Sequence, residues 1–192
     1  IYGGIYKLSI FITLVRQAFQ YAAEPFFFSK AKDKNAPETF AKVMKYYVLF
    51  CCTMFLVISL FRELIGKILL QKAEFQEALY ILPFLLLANV FLGIYYNQSV
   101  WYKLTNKTYF GTIISVIGAV ITLVMNLLLI PILGYFGCAI TTLICYFVMS
   151  LISYVLGQKY YPIEYPVKTI LAYIIGCSFL ISVSFIQPYQ TN

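Results

Sequence analysis

The chain of 192 residues has no histidine, only seven acidic residues, and a charged fraction of 11%. The missing histidine removes His-based metal sites and His general bases. The scarcity of charge separates it from soluble domains, which run at about 25% charged and about 45–50% apolar. Here 62% of the residues are hydrophobic, and the mean hydropathy is +0.85. A single soluble domain of this size has too little interior to cover so much apolar surface. The expected solvent is therefore mostly lipid. A Gly-rich phosphate loop is also lacking. The five cysteines, Cys51, Cys52, Cys138, Cys145 and Cys177, sit in apolar runs without metal-ligand spacing. They read as small buried hydrophobes. No metal or cofactor is expected. The chain opens on IYGGIYKLS with neither an initiator Met nor a signal peptide, and closes on QPYQTN; the expectation is a piece of a longer membrane protein.

What is present is a succession of apolar runs. A membrane-spanning helix takes about 20 predominantly apolar residues. Six stretches qualify, at about 7–29, 46–61, 79–99, 109–130, 138–156 and 169–186. The fold class that follows is all-α: a polytopic transmembrane helix bundle of about six spans, with residues 1–192 forming a fragment of one transmembrane domain. The net charge of +7 could signal nucleic acid, but its distribution points to a topological bias instead. Loop 30–45 holds Lys30, Lys32, Lys34, Lys42 and Lys45, loop 100–108 holds Lys103 and Lys107, and loop 157–168 holds Lys159 and Lys168. The opposite side holds Lys7, Arg62, Lys67 and Lys72. The positive-inside bias places the first set in the cytoplasm, and no nucleic-acid partner is expected. Segment 62–78 is amphipathic at helical spacing and reads as an interfacial helix or an extension of its neighbours. Pro131, Gly134 and Gly137 make a tight connection, so the fourth and fifth spans form an antiparallel hairpin.

The few polar groups inside the spans are the candidates for function. Arg16, Gln20 and Glu24 are spaced by four in the first span and share a helix face. Arg16 and Glu24 lie about 12 Å apart along the axis, too far for a direct pair. A charge at mid-bilayer costs a few kcal/mol, and such residues face a bundle interior or a hydrated cavity. The bland reading is that Arg16 pairs with a carboxylate elsewhere and locks the bundle. Asn89, Gly93 and Asn97 form a second polar stripe, and Gly111, Ser115, Gly118, Thr122 and Asn126 a third. For both, close helix packing is as good a reading as a hydrated lumen. Thr141, Cys145 and Met149 read as packing. In WYKLTNKT, Trp101 and Lys103 suit the interface and an anionic headgroup, against plain topological anchoring.

Four stretches carry a family resemblance: IYGGIYKLSIFITLVRQAFQYAAEPFFFSKAKD, YILPFLLLANVFLGIYYNQSVWYKLTNKT, NLLLIPILGYFGCAITTLICY and YVLGQKYYPIEYP. Together they resemble the C-terminal half of bacterial polysaccharide-biosynthesis flippases of the multidrug/oligosaccharidyl-lipid/polysaccharide exporter superfamily. The hairpin stretch is the most characteristic. The resemblance implies a two-bundle transporter of about 12–14 spans with rocking-bundle alternating access, of which this chain is the C-terminal bundle. It implies an inner-membrane location and no enzymatic activity. The implied substrate is a polyprenyl-diphosphate-linked oligosaccharide for O-antigen, capsule or exopolysaccharide, with membrane lipids and polysaccharide-assembly proteins as partners. Arg16 would then meet the diphosphate, with Gln20, Glu24, Asn89, Asn97 and Asn126 lining the cavity. The alternatives are a multidrug exporter of the same superfamily, which would favour acidic residues facing cationic drugs, and a polytopic glycosyl- or acyltransferase. The enzyme should show a carboxylate pair or a histidine at a membrane-edge loop.

Overall fold

A computed structural model of the chain describes residues 2–62 and 78–186. Among these the regular structure is helical. Helix α1 spans Tyr2–Lys30 and α2 spans Ala36–Leu60. A 3-10 turn at Ala78–Ile81 leads into α3, Leu82–Gln98, and a short α4, Val100–Leu104, continues it past a turn at Ser99. Then come α5, Tyr109–Leu133, α6, Tyr135–Tyr160, and α7, Val167–Ile186. Among the described residues five segments are long and apolar enough to cross a membrane: Ala36–Leu60, Leu79–Leu104, Tyr109–Leu133, Tyr135–Tyr160 and Val167–Ser184. This is the architecture of a multi-pass membrane protein. Helix α1, at 29 residues, is long enough to cross as well, but its polar face keeps it out of that set. The expected amphipathic segment 62–78 lies, apart from its two end residues, outside the described residues.

The expected spans 7–29, 109–130, 138–156 and 169–186 fall inside observed helices, 46–61 passes the end of α2 by one residue, and 79–99 takes in the 3-10 turn, α3 and Ser99. The largest difference is at α2, which begins at Ala36 rather than near residue 46. Its first turns carry Glu38 and Lys42, so an apolar window misses them. They are nonetheless good helix: Pro37 occupies a first-turn position where it costs no hydrogen bond. The Lys42 ammonium also meets the Glu38 carboxylate at 2.8 Å one turn on.

Helix α3 is the hub. It packs against α6, α1 and α2, while α5 leans on α6 and α7 on α2. The main apolar core lies between α2, α3 and α7, around Val48, Phe55, Leu82, Leu86 and Ile174. A second cluster joins Phe27, Phe40, Val100 and Ile163. It brings the α1–α2, α4–α5 and α6–α7 connections to one end of the bundle. At the other end Gly134 is the whole connection between α5 and α6. Its φ of +56° suits glycine, and its N–H caps the Ile130 carbonyl at 2.9 Å. Three residues on, a Cβ at Gly137 would stand 2.7 Å from the Leu129 carbonyl oxygen. The two glycines thus fold the hairpin that the sequence indicates.

Candidate functional site

Helix α1 lays its polar face along α3. Arg16, Gln20 and Glu24 all line one cleft between α1, α2 and α3–α4, with Asn97 and Lys103 opposite. Arg16 is 8% exposed, halfway along α1 and about 21 Å from either helix end. One guanidinium Nη1 donates to Gln20 Oε1 at 3.2 Å. The guanidinium carbon stands 4.7 Å from the centroid of the Tyr96 ring, a cation–π geometry worth about 0.5–2 kcal/mol. Its Nε–H has no hydrogen-bond partner. Among the described residues no carboxylate lies within ion-pair distance of it. The bundle-lock reading of Arg16 therefore finds no carboxylate among those residues.

Glu24 does have a partner, one the helix spacing cannot give. The Lys103 ammonium reaches its carboxylate at 2.8 Å from α4. The pair spans the cleft toward the end where the three basic connections gather. Helix α1 continues through Pro25, which removes one intrahelical bond at this level.

Asn97 is 3% exposed and its Nδ2 is unpartnered. The Tyr47 hydroxyl has the Cys51 thiol, one turn on in α2, as a weak partner. It occupies the space a Cβ on Gly93 would take, one turn along α3 from Asn97. Phe19 packs on the Tyr47 ring, centroids 4.3 Å apart. The cleft as a whole is narrow. Its cavity volume of about 20 Å³ holds about one water.

The remaining candidates lie elsewhere. Asn89 is deeper in α3, accepting from Thr13 Oγ1 at 3.1 Å and donating to its own helix at Leu85, and is satisfied there. Asn126 lies on the far side of the bundle, in a shallow groove of α5 with Thr122 and Leu127. Trp101, expected as an interfacial candidate, is 2% exposed. Its indole N–H donates to Ser153 Oγ at 3.2 Å, and Gly157 leaves room for its ring. A cluster of aromatic side chains makes it interior, stacked on Tyr160 and edge-on to Tyr102. The Thr141–Cys145–Met149 stripe is packing: Cys145 Sγ approaches the Gly118 carbonyl at 3.3 Å across the α5–α6 seam.

Sequence reasoning missed Tyr47 and Tyr96, the aromatic half of the cleft. The one available signal was that Tyr96 adjoins Asn97; in a chain with eighteen tyrosines that signal is weak. No cluster of three Cys, Asp or Glu residues able to hold a metal occurs among the described residues. The arrangement is a buried cation beside a narrow, mostly apolar cleft, with amide and phenol groups buried in its walls. It can hold an anionic or hydroxyl-rich group. No family model, curated protein or solved structure matches the chain.

Proposed function

We propose that the chain is the C-terminal bundle of an inner-membrane flippase that moves a polyprenyl-diphosphate-linked oligosaccharide during surface-polysaccharide assembly. The observation that carries this reading is Arg16: a buried guanidinium at mid-helix with no carboxylate beside it among the described residues and an N–H without a hydrogen-bond partner there. An uncompensated buried cation costs several kcal/mol. A transporter for an anion has reason to keep such a group, because the same charge lowers the barrier for a diphosphate crossing an apolar layer. Gln20, Asn97 and Tyr47 add donors and acceptors of the kind that bind sugar hydroxyls and phosphate oxygens. The Glu24–Lys103 pair stands across the approach from the basic end, which this reading places in the cytoplasm with loops 30–45, 100–108 and 157–168. Rocking of this bundle against a second one would expose Arg16 to each side in turn. The prenyl chain stays in lipid.

The test is Arg16→Ala in the intact protein, in cells lacking the native copy. Surface polysaccharide should disappear while the protein reaches the membrane at its normal level. Undiminished polysaccharide would overturn the reading. Orientation has its own test. Cysteines placed at residues 35 and 135 should label from the cytoplasm and from outside respectively, and the reverse pattern would reject the topology.

A further inference from the structure

Two lysines at the basic end of the bundle converge on one ring. The Lys107 ammonium stands 3.8 Å from the centroid of Tyr160, and the Lys159 ammonium 5.7 Å from it. Both distances are those of a cation–π contact. The two cations come from different segments: Lys107 lies in the turn before α5, and Lys159 in the last turn of α6. Their distances to the shared ring keep them within about 10 Å of each other, one Debye length at 0.1 M salt. Each therefore feels the other's charge. Among the described residues no carboxylate lies within ion-pair distance of either, whereas Lys30, Lys42 and Lys103 are paired with Asp33, Glu38 and Glu24. The headgroup role expected of Lys103 thus passes to lysines whose charge is not matched. Tyr160 is held in place, stacked on buried Trp101 with centroids 5.8 Å apart and packed against Phe110 at 5.1 Å. Towards the middle of the bundle, Val155 and Leu151 follow Lys159 at intervals of four, on the same face of α6. They are 58% and 49% exposed. Paired cations at a helix end, with an apolar stripe running away from them, have the layout of a lipid: headgroup, then chain.

We infer that the corner formed by Lys107, Tyr160 and Lys159 binds the phosphate of an anionic phospholipid, with an acyl chain of that lipid along Val155 and Leu151. The phosphate accepts from the ammonium groups and turns their mutual repulsion into a shared attraction. A zwitterionic lipid brings its own cation to the same place and gains less. The occupant is a lipid rather than a free anion, because α6 is long and apolar enough to span a membrane and the stripe beside the lysines is hydrocarbon. The site goes beyond the flippase reading and stands without it: it requires neither transport nor a particular orientation in the membrane.

The experiment uses the full-length protein in detergent micelles containing phosphatidylglycerol or phosphatidylcholine with identical chains, at constant ionic strength. Bound lipid is counted by native mass spectrometry, and affinity is read at the tightest site. Phosphatidylglycerol should bind more tightly than phosphatidylcholine. Lys107→Gln and Lys159→Gln should each weaken phosphatidylglycerol about fivefold, and the double variant should bind the two lipids alike. Should the double variant fail to fold, the single variants carry the test. Lys34→Gln, an exposed lysine of the α1–α2 connection, should leave the affinity unchanged. A loss as large in Lys34→Gln would overturn the proposal, because the attraction would then be diffuse charge rather than a site. Equal binding of the two lipids by the unmodified protein would overturn it as well. So would full competition by glycerophosphoglycerol, the headgroup without chains, at the concentration of the lipid. These readouts need no transport. Lipid binding can therefore fail while the polysaccharide test succeeds, and the reverse.

Discussion

Helices α3 and α5 invert the rule of soluble proteins. The segment Leu79–Leu104 has a hydropathy of 1.9 and is 67% buried over its most apolar window, whereas Tyr109–Leu133 has a hydropathy of 2.7 and is 11% buried. The oilier helix is the exposed one. In water that arrangement would cost a large part of the folding free energy. In lipid the tails are as apolar as leucine, so nothing drives α5 inward beyond packing and hydrogen bonds. The interior goes instead to the helix whose polar side chains need partners. Asn89, Asn97, Gln98 and Ser99 are all buried on α3 and α4's approach, and α1 brings Arg16 to the same place.

The sharpest way to break this contrast is to move the charge. Leu123, on the outer face of α5, is 62% exposed. Leu123→Arg puts a guanidinium into the surface read as lipid-facing, at a cost of about 3 kcal/mol. Folded protein recovered from the membrane should fall severalfold. Arg16→Met, by contrast, should leave thermal stability unchanged or raised, since replacing a buried charge by an apolar side chain of similar volume is often neutral or favourable. Equal recovery of Leu123→Arg and wild type would show that the α5 face meets water or polar protein rather than lipid.

A second comparison sets two glycines of the α5–α6 unit against each other. A Cβ at Gly137 meets the Leu129 backbone, which cannot move without opening the hairpin. Gly137→Ala should destabilise by about 1–3 kcal/mol, read as a lower unfolding midpoint. A Cβ at Gly118 meets the Met149 sulfur at 2.6 Å, the end of a flexible side chain that re-packs readily. Gly118→Ala should cost less than Gly137→Ala. Equal losses would mean that the seam, rather than the turn, holds α5 in place.

How far the sequence could be read follows the same division. The apolar helices were legible because lipid imposes a length and a composition on each span, and their order fixed the hairpin through Pro131, Gly134 and Gly137. The start of α2 was not, because Glu38 and Lys42 end the apolar run without ending the helix. Within the site, the Arg16–Gln20–Glu24 face was legible from spacing alone, and all three residues share a cleft. Its partners were not. Lys103 lies 79 residues from Glu24 in the chain, and no local rule pairs them. The Ser153 partner of Trp101 is not legible either, because an aromatic beside lysines suits the membrane interface as well as a buried polar contact. Asn97 and Asn126 looked alike for the same reason: periodicity gives a residue's face, and only packing says what that face meets.

The Glu24–Lys103 pair tests whether the buried seam depends on its outer end. Both side chains are part-exposed, 42% for Glu24 and 26% for Lys103, so the pair should contribute about 0–1 kcal/mol. Glu24→Gln and Lys103→Gln should each leave the unfolding midpoint nearly unchanged while lowering polysaccharide export. The double exchange Glu24→Lys with Lys103→Glu should recover part of it if the contact itself guides opening. Export unaffected by both single changes would make the pair a surface ornament of the cleft.

The smallest effect is expected where the same residue type sits in the other setting. Asn126 and Asn97 each carry an unpartnered amide atom. Asn97 is 3% exposed and lines the same narrow cleft as Arg16. Asn126 faces an open groove bordered by Ala119, Leu123 and Ile130, where its amide has only Thr122 as a polar neighbour in the lining. Asn126→Leu should therefore shift stability by no more than about 0.5 kcal/mol, with export near wild type, while Asn97→Leu should lower export strongly. Should Asn126→Leu abolish export with the protein still folded, the outer face of α5 would be the substrate's path or the seat of the second bundle. The division of the molecule into a polar seam and an inert lipid face would then fail at that point.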